Sequence, residues 1–110
     1  MKKLFLSLAF LLPAMGMMAQ TQVKTAEGIL EGKELSGIKV FKGVPFAAPP
    51  VGNLRWKAPQ PVQKWEGVRE AKEFGANPMQ EPIFGDMNFG TKNNSEDCLY
   101  LNIWTPAKTM

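Results

Sequence analysis

Few side chains in this 110-residue sequence have the chemistry that hydrolytic catalysis requires. The sequence contains no histidine, and its only serines are Ser7, Ser36 and Ser95. A serine nucleophile needs an imidazole that accepts its proton and returns it to the leaving group. None of the three serines lies in a G-x-S-x-G turn, the arrangement that exposes the nucleophile of many hydrolases. The 110 residues therefore carry no catalytic residue of their own.

The sequence also offers few of the side chains that metal and cofactor sites require. One cysteine and no histidine leave no ligand set for zinc. Glu96 and Asp97 are adjacent, and adjacent residues of a strand point to opposite faces, so their carboxylates do not converge on a cation. The glycines form no G-x-G-x-x-G phosphate-binding turn. We expect no metal and no cofactor.

The first 19 residues have the pattern of a secretory signal peptide. Lys2 and Lys3 precede a nine-residue apolar run, and Ala19 is a small residue suited to cleavage. The run is too short to span a bilayer, which takes about 20 residues. We expect export to the periplasm or the exterior of a bacterial cell, with no membrane anchor after cleavage.

The charge balance gives no reason to expect nucleic-acid binding. The whole chain carries 13 Lys and Arg against 10 Asp and Glu, a net charge of +3. Removal of Lys2 and Lys3 with the signal peptide leaves 11 against 10, a net charge of +1. The remaining basic residues form no run, so solvated strand faces explain them.

The first half of the mature chain predicts short antiparallel strands at the edge of a larger sheet. Residues 34–37 are a candidate turn, in which Gly37 is free to take a positive φ. Residues 43–52 form a proline-fixed loop, and residues 68–74 fit a short helix and an extended edge segment equally well. The predicted strands are residues 22–25, 28–33 and 38–42.

The most apolar part of the mature chain is a predicted strand over residues 99–104. Both of its faces are apolar, and Asn102 is the only polar interruption. Strands with two apolar faces are typical of sheets covered on both sides. Pro106 ends the strand, because proline cannot donate to a ladder. We therefore expect helices from outside these 110 residues to cover it.

Two motifs resemble one protein family. Residues 96–106 read Glu-Asp-Cys-Leu-Tyr-Leu-Asn-Ile-Trp-Thr-Pro, which is similar to the second signature of the type-B carboxylesterases. This family includes the cholinesterases and bacterial para-nitrobenzyl esterases. Residues 41–56 are similar to its upstream F-x-G-I-P-Y-A-x-P-P-x-G-x-x-R-F run. With Trp-Glu-Gly-Val at residues 65–68, the resemblance extends from about residue 23 to residue 106.

The resemblance implies an α/β-hydrolase fold and a serine esterase that acts on small-molecule carboxylic esters. Residues 20–110 would be a truncated, mostly β segment, in which antiparallel edge strands lead into the central sheet. The segment would be incomplete on its own and inactive alone, because the family's nucleophile, oxyanion loop and histidine come later in the chain.

The same resemblance implies roles for six residues. Arg55 would form a structural salt bridge with Glu96. Cys98 lacks the partner of a common family disulfide, since residues 74–80 contain no cysteine. We expect a buried, inert thiol there; a reactive thiol, or a partner outside these residues, is the alternative. Three apolar residues of the 80–94 loop would lie at the rim of the substrate gorge, unless they only pin the loop to the body: Phe84, Met87 and Phe89.

Two other functions stay open on sequence grounds. One is an esterase-like protein without catalysis that serves binding or adhesion, by analogy with the neuroligins. The other is a small secreted β module complete at this length. A chain of about 90 residues buries only about 60–65% of its surface, and the 99–104 strand would be left uncovered.

Overall fold

The computed structural model describes residues 21–88, 90–91 and 93–109, and the predicted signal peptide at residues 1–19 lies outside them. Within the described residues, strands and loops are accompanied by one turn of 3-10 helix, Gly52–Leu54. The strands are β1 Thr21–Lys24, β2 Ile29–Leu35, β3 Ile38–Pro45, β4 Val68–Glu70 and β5 Tyr100–Thr105.

Strands β1, β2 and β3 form the antiparallel meander that the sequence predicts. Strand β2 continues to Leu35, two residues beyond the predicted end, because Ser36 and Gly37 alone form the turn. Their φ angles are 50° and 78°, so both central residues are left-handed, as tight hairpin turns require. The prediction for Gly37 is confirmed.

The undecided segment at residues 68–74 is extended rather than helical. Strand β4 runs parallel to β2, with Ile29 opposite Val68. Just after it, the Ala71 N–H donates to the Glu31 carbonyl at 2.7 Å, and the Ala71 carbonyl accepts from the Lys42 N–H at 2.8 Å. Ala71 is fully buried. Its backbone therefore joins β2 to β3 at the point where the two strands diverge.

Strand β3 extends past the predicted start of the proline-rich loop at Gly43. Its pairing with β5 shifts register between Phe41 and Val44, which marks a bulge. Gly43 takes a φ of 67° there, and its N–H donates to the Asn102 side-chain oxygen at 3.0 Å. Asn102, in the middle of β5, thus satisfies a backbone donor that the bulge removes from the ladder.

The apolar core is small and lies where the meander meets β4. Leu30, Phe41 and Ala71 are buried together, and the Trp65 ring packs against them. The Trp65 Nε1–H donates to the Ile29 carbonyl at 3.0 Å, which ties the segment before β4 to β2.

Strand β5 pairs with β3 and leaves large apolar side chains on both faces in solvent. Leu101, Ile103 and Trp104 are 39%, 42% and 55% exposed. The described residues therefore do not supply the cover that this strand's composition predicts. Nor does any helix in the described part of the chain have the length and apolar character needed to cross a bilayer.

Candidate functional site

The structure brings Arg55 and Glu96 together. Arg55 directly follows the 3-10 turn, where its N–H donates to the Gly52 carbonyl at 3.2 Å. Its Nε lies 2.9 Å from Glu96 Oε1, and the two side chains are 59% and 41% exposed. The salt bridge therefore connects the proline-rich loop to the residues before β5, and it does so at the surface.

Asp97 has different partners from its neighbour Glu96. The Tyr100 hydroxyl donates to Asp97 Oδ1 at 2.9 Å, and the Asp97 N–H donates to Ser95 Oγ at 3.1 Å. Burial, and then the Asp97 carboxylate, raise the pKa of Tyr100 above its ordinary value. The hydroxyl therefore stays protonated as the donor. Sequence reasoning missed this pair, because a spacing of three residues brings side chains together on a helix and not at the start of a strand.

The loop between Asn77 and Asn94 surrounds an open cavity of about 240 Å³. Phe84 and Met87, two of the predicted rim residues, are 57% and 55% exposed and both line it. The third, Phe89, lies outside the described residues. The lining residues are Asn77, Gln80, Glu81, Pro82, Ile83, Phe84, Met87 and Asn94. The cavity combines apolar surface with one carboxylate and three amides.

Cys98 is a free thiol and is half-buried among the described residues. It lies just before β5, whose faces the described residues leave open. The predicted burial relies on cover from outside these residues, so it stays a prediction.

The two serines that the structure describes are not arranged as nucleophiles. Ser36 lies in the hairpin turn, and Ser95 Oγ accepts the Asp97 N–H. Neither has an imidazole beside it, since the sequence has no histidine. Among the described residues, no three Cys, Asp or Glu side chains are close enough to hold a metal ion. Neither described serine is therefore activated for attack.

An ionic cluster beside the core was also missed. Glu31 lies in the middle of β2 and is buried, and it binds the Lys72 ammonium and the Gln22 side-chain amide. The alternation within β2 could not reveal the cluster, because Lys72 lies 41 residues away.

Comparison with known proteins agrees with the geometry. The model of the carboxylesterase family matches residues 19–110. Fumonisin B1 esterase from Sphingopyxis macrogoltabida is 46% identical over 89 residues, which are 76% of this chain and 15% of that protein. Phenmedipham hydrolase from Pseudarthrobacter oxydans is 46% identical over 88 residues, covering 74% of this chain and 17% of that protein.

Solved esterases share the fold of this segment. The Geobacillus stearothermophilus carboxylesterase EST55 matches with a TM-score of 0.69 and 43% identity, over 82% of this chain and 17% of that one. A PNB esterase structure matches with a TM-score of 0.74 and 36% identity, over 79% and 18%. The chain thus spans less than a fifth of the length of these relatives. Both the predicted resemblance and the predicted fold class are confirmed: this chain belongs to the carboxylesterase family and forms a mostly antiparallel β segment of an α/β-hydrolase fold.

Proposed function

We propose that the protein is an exported serine carboxylesterase that hydrolyses small-molecule carboxylic esters. The family match over residues 19–110 carries the proposal. It is supported by relatives named as esterases and hydrolases, which are 46% identical to the chain.

In this proposal residues 20–110 are scaffold and part of the substrate-binding wall. The serine nucleophile, the histidine that moves its proton and the N–H groups that hold the oxyanion come from the remainder of the natural protein. The Arg55–Glu96 salt bridge holds the proline-rich loop against the residues before β5. Phe84 and Met87 contact the apolar part of the ester from the loop cavity. Residues 20–110 alone are inactive.

The test compares two polypeptides. The protein at its natural length should hydrolyse para-nitrophenyl acetate and butyrate, whereas a polypeptide of residues 20–110 should not. A fluorophosphonate probe, which labels activated serines, should modify the natural-length protein on a peptide outside residues 1–110. Absence of both hydrolysis and labelling would overturn the proposal and favour the non-catalytic binding protein. Labelling of Ser36 or Ser95 would contradict the scaffold role.

Export is tested separately. Cleavage after Ala19 should give a mature protein that begins at Gln20, which amino-terminal sequencing of the protein recovered outside the cytoplasm would show. Recovery of the uncleaved chain from the cytoplasm would contradict export and leave the esterase proposal intact.

A further inference from the structure

The two ends of the cavity-forming loop are fastened to each other by backbone hydrogen bonds. The Asn77 N–H donates to the Asn93 carbonyl at 3.1 Å, and the Ser95 N–H donates to the Asn77 carbonyl at 2.9 Å. Asn77 and Asn94 form an isolated parallel bridge. The loop of residues 78–93 therefore leaves and returns at one point, in the manner of an Ω-loop.

Two asparagine side chains add hydrogen bonds between the outgoing and returning arms of the loop. Asn77, at the start of the loop, donates from Nδ2 to Thr91 Oγ1 on the returning arm at 2.6 Å. Asn94, at the end, donates from Nδ2 to the Gln80 carbonyl on the outgoing arm at 2.9 Å. Each side chain thus reaches across to the opposite arm, and both line the cavity.

The large apolar side chains that the structure describes in this loop contribute little burial. Ile83, Phe84 and Met87 are all exposed. A close approach occurs at Gly90, where an added Cβ would lie 3.1 Å from the Phe74 ring. The single cysteine of the sequence excludes a disulfide within these 110 residues. A loop with few buried apolar contacts depends on its hydrogen bonds to keep one conformation.

We propose that Asn77 and Asn94 are positioning residues, a pair of side-chain cross-links that keep the 78–93 loop in the conformation that forms the cavity. Phe84 and Met87 then meet a ligand from a preorganised surface. The effect on ester binding rests on the proposed function, whereas the effect on the loop does not.

The two cross-links differ in what an aspartate would do. The Thr91 hydroxyl can donate as well as accept, so Asn77→Asp keeps a hydrogen bond, with Thr91 donating to the carboxylate. The Gln80 carbonyl can only accept, so Asn94→Asp loses the bond and places a carboxylate against a carbonyl oxygen. The two substitutions have the same size and charge. If the two asparagines acted only through their size or the surface charge, Asn77→Asp and Asn94→Asp would have equal effects.

Hydrogen–deuterium exchange on the protein at its natural length tests the cross-links. Asn77→Ala, Asn94→Ala and Asn94→Asp should each accelerate amide exchange in peptides spanning residues 79–93 about fivefold, the value for one net hydrogen bond. In Asn77→Asp, the rate of amide exchange in the same peptides should stay within about twofold of the wild-type rate, because a hydrogen bond is kept. Thr91→Val should reproduce Asn77→Ala, and the two together should add nothing further. Asn53→Ala, at an exposed asparagine of the 3-10 turn, is the control and should change nothing.

Unchanged loop exchange in both alanine variants, or equal exchange in the two aspartate variants, would overturn the proposal. If the Asn77 variants fail to fold, Thr91→Val decides about the Asn77 cross-link, because it removes the acceptor and keeps the side-chain shape. If Asn94→Ala fails to fold, Asn94→Asp decides about the Asn94 cross-link.

Ester kinetics separate this proposal from the proposed function. The alanine variants should raise KM about fivefold and leave kcat within about twofold. A wild-type protein that hydrolyses no ester, with exchange that changes as expected, would refute the esterase and keep the cross-links. An active wild type whose variants show unchanged exchange would refute the cross-links and keep the esterase.

Discussion

Lys72 places its ammonium directly against Oε2 of Glu31, a carboxylate that is buried in the middle of β2. Gln22 donates to the other carboxylate oxygen at 2.9 Å. The hydrogen bond from Lys72, and then that from Gln22, lower the pKa of Glu31, while the hydrogen bond to Glu31 raises the pKa of Lys72. The ion pair therefore reinforces the backbone link between β2 and the segment after β4.

The directions of the two pKa shifts predict how the stability of the protein depends on pH. Because the folded pKa of Glu31 lies below its ordinary value of 4.5, the stabilisation is present above that value and is lost as the pH falls through the folded pKa. The raised Lys72 pKa gives stabilisation below 10.5 that is lost as the pH rises through its folded pKa. Glu31→Gln should lower the melting temperature at pH 7 and reduce its decline below pH 4.5. Thermal melts from pH 2.5 to pH 8 measure this.

Glu73→Gln is the matched control for Glu31→Gln. Glu73 Oε1 lies 3.5 Å from Lys33 Nζ, and both side chains are exposed. Exposed ion pairs contribute little to stability. The melting temperature of Glu73→Gln should therefore depend on pH in the same way as that of the wild type. Identical profiles for Glu31→Gln and the wild type would contradict the role of the buried carboxylate.

The Arg55–Glu96 salt bridge should contribute modestly to stability. Its side chains are 59% and 41% exposed, so solvent screens the attraction. We expect Arg55→Ala and Glu96→Ala to couple by about 0.2–1 kcal/mol in a double-mutant cycle, well below the roughly 3–5 kcal/mol typical of breaking a buried pair. Urea denaturation of the protein at its natural length measures the cycle. Fully additive losses would show that the two residues do not interact.

Phe84 and Met87 should affect ester binding more than turnover. Either change to alanine removes apolar surface from the loop cavity, worth about 1 kcal/mol or about fivefold in KM, with kcat nearly unchanged. Steady-state kinetics with para-nitrophenyl butyrate separate the effect on KM from the effect on kcat. Met79→Ala is the control, since Met79 is exposed but does not line the cavity. A KM that stays constant in both variants would remove these residues from the substrate wall.

Ile103→Lys should have opposite effects in the two polypeptides. In residues 20–110 alone, a lysine on the exposed strand β5 should reduce aggregation, because charged side chains protect open sheet edges. At natural length the same change should cost roughly 2 kcal/mol or more, since the proposed covering elements bury the position. Light scattering and thermal melts measure the two effects.

Thr109→Lys is the control for that comparison, because it adds the same charge at an exposed position beyond β5. A sharply melting, monomeric polypeptide of residues 20–110 would contradict the need for cover and support the small β module.

The local pattern determined much of this segment. Alternating residues and a turn glycine were sufficient to predict the β1–β2–β3 meander and the positive φ of Gly37. Two motifs were sufficient to place the chain in its family. These features depend on neighbours in sequence, such as the tight turn that needs a left-handed residue.

Contacts between distant residues decided the rest. Residues 68–74 became extended because Ala71 satisfies backbone groups of both Glu31 and Lys42. The partner of Glu31 and the cross-links from Asn77 and Asn94 also come from other parts of the chain. Helix or strand propensity at a position is worth about 1 kcal/mol or less, so buried backbone donors and acceptors that need partners outweigh it. Only the tertiary structure shows where those partners lie.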